Sequence, residues 1–319
     1  MYDQKISTNN PTLIVVLLDQ SESMHKTMLL PDGHLWKLSD LVKLVTDKFL
    51  YQSLSFCRKE LKITDRVEVA VIGYNSDLNS ALPKVSMNNF PIGASILKSS
   101  YIKKNEHNDE TYKFPRYEWV ESISKNTTSM VLAFQKTQEI IDNWIPNHQQ
   151  SSPPIILNVT DGMPTDEPDF NDYEKEFGGR NRLENLLTVK GMKIYQIAEQ
   201  IKNSKTNYGN TLMANAHITT SSVNTGLKFP NDDSALDFSS FLLYHLSSEI
   251  PSELFANARE FGFNLQPGAR FFLHNSVVDD FMNFFEFGST MYFTDDNSKP
   301  ALDNSDNENS SDEDEEKET

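Results

Sequence analysis

The apolar run Leu13-Ile14-Val15-Val16-Leu17-Leu18, broken off by Asp19-Gln20-Ser21-Glu22-Ser23, limits the possible folds more than any other stretch of the chain. A strand that is apolar at every position is buried on both faces, as in the middle of a parallel sheet covered by helices. Sheets of that kind hold their ligands at the carboxyl ends of the strands. A carboxylate and two hydroxyls at alternate positions, Asp19, Ser21 and Ser23, therefore stand where a ligand would be expected.

The rest of the chain alternates strand and helix patterns. Arg66–Ile72 is rich in β-branched residues and reads as a second central strand. Ile155–Thr160 is a third, opened by Pro153-Pro154 and closed by Asp161-Gly162; Thr211–Thr219 and a short Phe271–Leu273 follow. Leu38, Leu41, Val42, Val45 and Phe49 fall on one helical stripe, and so do Met130, Phe134, Thr137, Ile141 and Trp144, where Pro146 ends the helix. Ile194, Ile197, Ala198 and Ile201 give a third stripe. Phe238–Leu246, Pro251–Glu260 and the Phe-rich Val277–Phe287 read as further helices. Met24–Trp36 is expected to be a loop turning at Pro31-Asp32-Gly33, and Glu167–Arg182 a segment crossing the top of the sheet. This alternation predicts a doubly wound α/β domain over residues 11–295, mostly parallel, with one antiparallel edge strand and helices on both faces. An insertion around 75–120 would hold one or two edge strands. Residues 1–10 are expected to be flexible.

Charge excludes some functions. The formal net charge is -17, and residues 303–319 alone carry nine acidic side chains and one Lys. An acidic body repels phosphate backbones, which argues against nucleic acid as a partner. Residues 296–319 lack the apolar content to repay ordering and are expected to be a disordered acidic tail, with Ser310 and Ser311 as candidate phosphorylation sites. Apolar runs fall short of a membrane span, and the polar start Met1–Pro11 lacks the order of a secretory signal, so a cytoplasmic protein is expected. The single cysteine, Cys57, allows no intrachain disulfide and reads as a small buried hydrophobe on a helix. The seven His show no ligand spacing, and His217, on an apolar strand, reads as a satisfied sheet residue.

Strand-Asp19-x-Ser21-x-Ser23, a Thr opening a helix, and Thr160-Asp161-Gly162-Met163-Pro164-Thr165-Asp166 ending another strand occur here in that order. Together they resemble the metal-ion-dependent adhesion site of the von Willebrand factor A (VWA) domain family. Asn126-Thr127-Thr128-Ser129-Met130-Val131-Leu132-Ala133 resembles the family's Gly-x-Thr-Pro-x-x-x-Ala helix opening, with Thr128 in the place of the metal-site threonine. The glycine is missing here, which leaves Thr127 as an alternative. The resemblance implies that Ser21, Ser23 and Thr128 bind the metal directly, and that Asp19 and Asp161 act largely through water. The first metal loop and the Phe-rich helix also resemble the TerY-like intracellular bacterial members, which are encoded with kinases and phosphatases in stress-response and defence systems.

The chemistry of the set is consistent with that resemblance. Asp19, Ser21, Ser23, Thr128 and Asp161 supply only oxygens, which suits a hard cation, Mg2+ or Mn2+. With so little charge from the protein, the ion would stay electrophilic and could take an Asp or Glu carboxylate from a partner protein. The expected function is thus a non-enzymatic protein-binding module, an adaptor whose partner, by the TerY-like resemblance, would be a kinase or phosphatase encoded nearby. Two other readings stay open. Ser21 and Ser23 could merely cap the following turn. Asp19 could instead serve a metal-dependent phosphatase or hydrolase, although the nucleophile-elbow and phosphate-loop patterns of hydrolases are absent.

Overall fold

The structure is a computed structural model, and it describes residues 2, 6–29, 35–59, 62–86, 99–104, 111–116, 119–162, 164–168, 170–220 and 226–275. Strands Thr12–Asp19 (β1), Val67–Tyr74 (β2), Leu78–Ser86 (β3), Ile155–Thr160 (β4), Leu212–His217 (β5), Leu227–Lys228 (β6) and Phe272–His274 (β7) form a 7-stranded sheet in the order β6-β7-β5-β4-β1-β2-β3. The pairs β7·β5, β5·β4, β4·β1 and β1·β2 are all parallel. The expected antiparallel edge strand is β3, at the start of the predicted insertion. The two-residue β6 pairs antiparallel with β7 at the opposite edge. It is too short to leave a pattern in the sequence.

Parallel neighbours need crossover connections, and the helices supply them. These are Leu38–Cys57 (α1), Met130–Trp144 (α2), Phe170–Phe177 (α3), Arg182–Gly191 (α4), Lys193–Asn203 (α5), Phe238–Leu246 (α6) and Phe255–Glu260 (α7). Side chains alternate across a strand, so β1 serves two cores. Ile14, Val16 and Leu18 join Leu41, Val45 and Phe49 of α1 on one face. Leu13, Val15 and Leu17 join Phe134 and Ile141 of α2, Ile194 and Ile201 of α5, and Leu242 of α6 on the other. All six aliphatic residues of the run are no more than 1% exposed. This double burial is the physical reason for the unbroken apolar run.

Some connections differ from expectation. Met24–Trp36 is not a plain loop. A 3-10 turn at Glu22–His25 leads into a hairpin that pairs Thr27–Leu29 with Leu35–Lys37. The crossing segment Glu167–Arg182 contains α3, and α4 follows it. The sequence hid α4 because Leu183 and Leu187 face solvent, 64% and 60% exposed, so no core-facing stripe marks it. Its start is instead set by a capping box between Asn181 and Glu184. Pro251–Glu260 is divided into a 3-10 turn, Ser252–Leu254, and α7. Within the insertion, Ser99–Lys104 and Thr111–Arg116 form a separate two-stranded hairpin. The expected helix Val277–Phe287 and the acidic tail lie outside the described residues.

Candidate functional site

The carboxyl ends of β1 and β4 lie side by side, because Leu18 is in register with Val159. Asp19 is consequently next to Thr160. The Thr160 hydroxyl donates to Asp19 Oδ2 at 2.6 Å, and the Ser21 backbone N–H donates to Oδ1 at 2.9 Å. Asp19 is 1% exposed, with both carboxylate oxygens held. Burial, then the nearby charge of Asp161, raises its pKa to about 6, against the opposing hydrogen bonds of Ser21 and Thr160.

Ser21 occupies the position before the 3-10 turn, yet its side chain makes no capping hydrogen bond. Its hydroxyl instead lies 2.8 Å from that of Ser23. The two hydroxyls therefore converge on each other, as a shared ligand would require, and Ser21 does not use its hydroxyl to cap the turn.

Asp161 follows β4 directly. Gly162 next to it has φ +93°, and a Cβ there would come within 2.9 Å of Ser239 Cβ and 3.0 Å of His217 Nε2. Only glycine fits that backbone without strain. The Gly162 N–H donates to the Thr160 hydroxyl at 2.9 Å. The Asp161 backbone carbonyl accepts from His217 Nε2 at 2.8 Å. Since a carbonyl can only accept, neutral His217 carries its proton on Nε2 and its Nδ1 accepts from His274 Nδ1–H, 2.9 Å away. Burial lowers the His217 pKa, which is consistent with the expected role of a satisfied sheet residue. The side chain of Asp161 is less satisfied. Its Oδ1 is buried without a hydrogen-bond partner, and its Oδ2 faces the Lys26 ammonium at 3.7 Å.

The third loop is tied to the first by backbone. The Glu22 N–H donates to the Asn126 carbonyl and the Lys125 N–H to the Gln20 carbonyl, each at 2.9 Å. Asn126 has φ +65°. It adopts the left-handed conformation for which glycine is the usual residue, and Asn tolerates that region better than most side chains. This accounts for the missing glycine of the helix opening. Of the two threonines, Thr128 is buried and Thr127 is exposed. Thr128 is also clasped by Thr165, whose hydroxyl accepts from the Thr128 N–H at 2.9 Å and donates to its carbonyl at 3.1 Å, while the Thr165 N–H reaches the same carbonyl at 3.0 Å. The next residue, Asp166, caps α2 by accepting from Val131 N–H and Leu132 N–H at 3.1 and 3.0 Å. The loop bearing Asp161 thus also fixes the helix start bearing Thr128.

The structure brings Asp19, Ser21, Ser23 and Asp161 to the carboxyl ends of two neighbouring central strands and holds the Thr128 backbone against the same loops. Sequence reasoning assigned no role to Thr160, Thr165, Asp166 or Lys26. The first three stand inside the Thr-Asp-Gly stretch, but their partners are set by register. Among the described residues no three His, Cys, Asp or Glu side chains gather to hold a metal. The candidate set is of another kind, two carboxylates with hydroxyls, and its chemistry fits a hard cation. The buried, unpartnered Asp161 Oδ1, and the burial and Asp161 charge that raise the Asp19 pKa, are what an added positive charge would offset.

No family model matches the chain, and no curated protein does. Solved structures do align with it. The vWF domain of the type V pili tip protein Mfa5 from Porphyromonas gingivalis aligns at 9% identity and TM-score 0.48, over 89% of this chain and 96% of that one. The pilus adhesin SpaC from Lactobacillus rhamnosus GG aligns at 11% identity and TM-score 0.48, over 91% of this chain. This chain spans 31% of SpaC's length. The conserved hypothetical protein BatB from Bacteroides thetaiotaomicron aligns at 14% identity and TM-score 0.34, over 65% of this chain and 66% of that one. The assignment of this chain to the doubly wound α/β class rests on its strand order and register. Among the described residues, no helix is long and apolar enough to cross a membrane.

Proposed function

We propose that the chain is a protein-binding module without catalytic activity, which uses a divalent cation, Mg2+ or Mn2+, to capture an Asp or Glu carboxylate of a partner protein. The observation that carries this reading is the convergence of Asp19, Ser21 and Ser23 with Asp161 at the carboxyl ends of β1 and β4, where Asp161 Oδ1 is buried and unpaired. Ser21, Ser23 and Thr128 would hold the cation directly, and Asp19 and Asp161 would hold its water shell. The bound cation would supply an open, electrophilic position for a carboxylate oxygen. Asp19 is enclosed by Thr160 and the Ser21 N–H, which favours a positioning role over attack on a substrate and so weighs against the phosphatase alternative. An adaptor role beside a kinase or phosphatase, in the cytoplasm, is the biological setting we propose from the TerY-like resemblance.

The test is Mn2+ binding followed by water-proton relaxation, alongside capture of partners from native lysate in Mg2+. Wild type is expected to bind one Mn2+ and to capture a partner that EDTA releases; Asp19→Ala is expected neither to bind Mn2+ nor to capture the partner. Unchanged Mn2+ binding in Asp19→Ala would sink the proposal. Turnover of phosphoesters that depends on both metal and Asp19 would support the enzymatic alternative instead.

A further inference from the structure

We infer that Lys26 is the second anchor for the captured carboxylate and so determines the site's preference for an anionic ligand. This rests on the metal reading above and adds a residue that the motif does not contain. Lys26 is built into the metal loop by its backbone. Its N–H donates to the Ser23 carbonyl at 3.1 Å, and its own carbonyl accepts from Leu38 N–H, the first residue of α1, at 2.9 Å. Its Cα is therefore fixed relative to Ser23 on one side and to a long core helix on the other. The side chain is 59% exposed, and its ammonium lies 3.7 Å from Asp161 Oδ2, whose side chain is 9% exposed. A solvated lysine has been placed at the rim of a nearly buried carboxylate that has no other side-chain partner among the described residues.

Charge then decides the consequence. Asp19 and Asp161 together carry two negative charges, which a divalent cation balances. Lys26 leaves the loaded site with one unit of positive charge, and a single carboxylate closes that account. A cation held by Asp161 would free the ammonium, 3.7 Å from Oδ2, from its main attraction and leave it at the rim of the site to meet an incoming carboxylate. One carboxylate oxygen can bind the metal while the other accepts from Lys26 Nζ, a charge-assisted hydrogen bond. Without metal, the same ammonium stands in for part of the missing positive charge. A neutral ligand, such as an amide, gains nothing from Lys26, so the residue discriminates acid from amide at the same shape.

The experiment uses the full chain loaded with Mn2+ and two probes, a short peptide with one Glu and the same peptide with Gln in its place. Displacement of metal-bound water is read by proton relaxation. Lys26→Ala is expected to bind Mn2+ as tightly as wild type or more tightly, having lost a competing cation, yet to bind the Glu peptide roughly five- to tenfold more weakly. Lys26→Arg, which keeps the charge, is expected to restore most of that affinity. The Gln peptide should bind weakly and equally to all three proteins. Unchanged Glu-peptide affinity in Lys26→Ala overturns the inference, as does a loss of Mn2+ affinity, which would make Lys26 a structural part of the loop. If wild type shows no Mn2+ binding that Asp19→Ala removes, the metal reading itself fails, and Lys26 falls with it.

Discussion

At the scale of single residues, the site depends on groups with no obvious chemistry of their own. Gly162 is the clearest case. Its φ of +93° and the 3.0 Å approach of His217 to the space where a Cβ would stand leave no room for a side chain. Gly162→Ala is expected to destabilise the fold by about 1 to 3 kcal/mol in urea unfolding. It should also weaken Mn2+ binding, because relieving the clash moves Asp161, one residue away. A variant that lost stability but kept full metal affinity would show that the Asp161 position is held by other contacts. Asn126 illustrates the opposite situation. A glycine expected from the motif is absent, yet its left-handed backbone is present, carried by an asparagine. That equivalence is a property of backbone conformation, which residue identity signals only indirectly. Cys57 is buried as expected, with burial pushing its thiol up to about 12.

At the scale of elements, a row of buried polar side chains runs across the central strands beneath the site. The Tyr74 hydroxyl of β2 donates to Asn158 Oδ1 of β4, Asn158 Nδ2 donates to Asn215 Oδ1 of β5, and Asn215 Nδ2 donates to the Ser247 hydroxyl just past α6, each at 2.9 Å. Asn158 and Asn215 are both 0% exposed. Within a sheet core, polar groups are tolerated only when each is satisfied, and such a network fixes register between strands that apolar contacts alone would let slip. Asn158→Leu would strand the Asn215 amide oxygen and take from the Tyr74 hydroxyl its acceptor on β4. The expected cost is on the order of 2 to 4 kcal/mol by chemical unfolding, larger than for a surface Asn. A loss below about 0.5 kcal/mol would mean that the neighbours find other partners. In sequence, Asn158 reads only as an interruption of an apolar strand, because its partners are separated from it by 84 and 57 positions. Helices show the same division. α2 and α6 coincide with their apolar patterns, while α4, whose leucines face outward, left no stripe to read.

At the scale of the whole molecule, buried histidines should make the fold sensitive to mild acid. Burial, with the Arg270 charge, lowers the His245 pKa to about 4, outweighing the hydrogen bond from its Nε2 to Asp233 Oδ2. Burial, then the proximity of His217, lowers His274 to about 4 as well. An unfolded histidine takes up its proton near pH 6.5. The unfolded chain therefore binds more protons between pH 6.5 and about 4, and stability that is complete above pH 6.5 declines as pH falls through that window. For His245 the full effect is on the order of 3 kcal/mol. Urea midpoints at pH 7.5 and 5.0 should show the decline in wild type and a shallower one in His245→Gln; identical slopes would show that His245 is not the group involved.

By itself the sequence determined the layered α/β class and the central strands, and it singled out the residues of the candidate loops. Those signals are local: an apolar run long enough for a doubly buried strand, helical stripes, and oxygen donors at strand ends. Only the tertiary structure decided which loops meet. Parallel register sets Asp19 beside Thr160, a loop far along the chain clasps Thr128 and caps α2, and the turn after Ser23 aims Lys26 at Asp161. These contacts depend on strand order and on crossover geometry, which join residues 35 to 141 positions apart and which no local periodicity encodes.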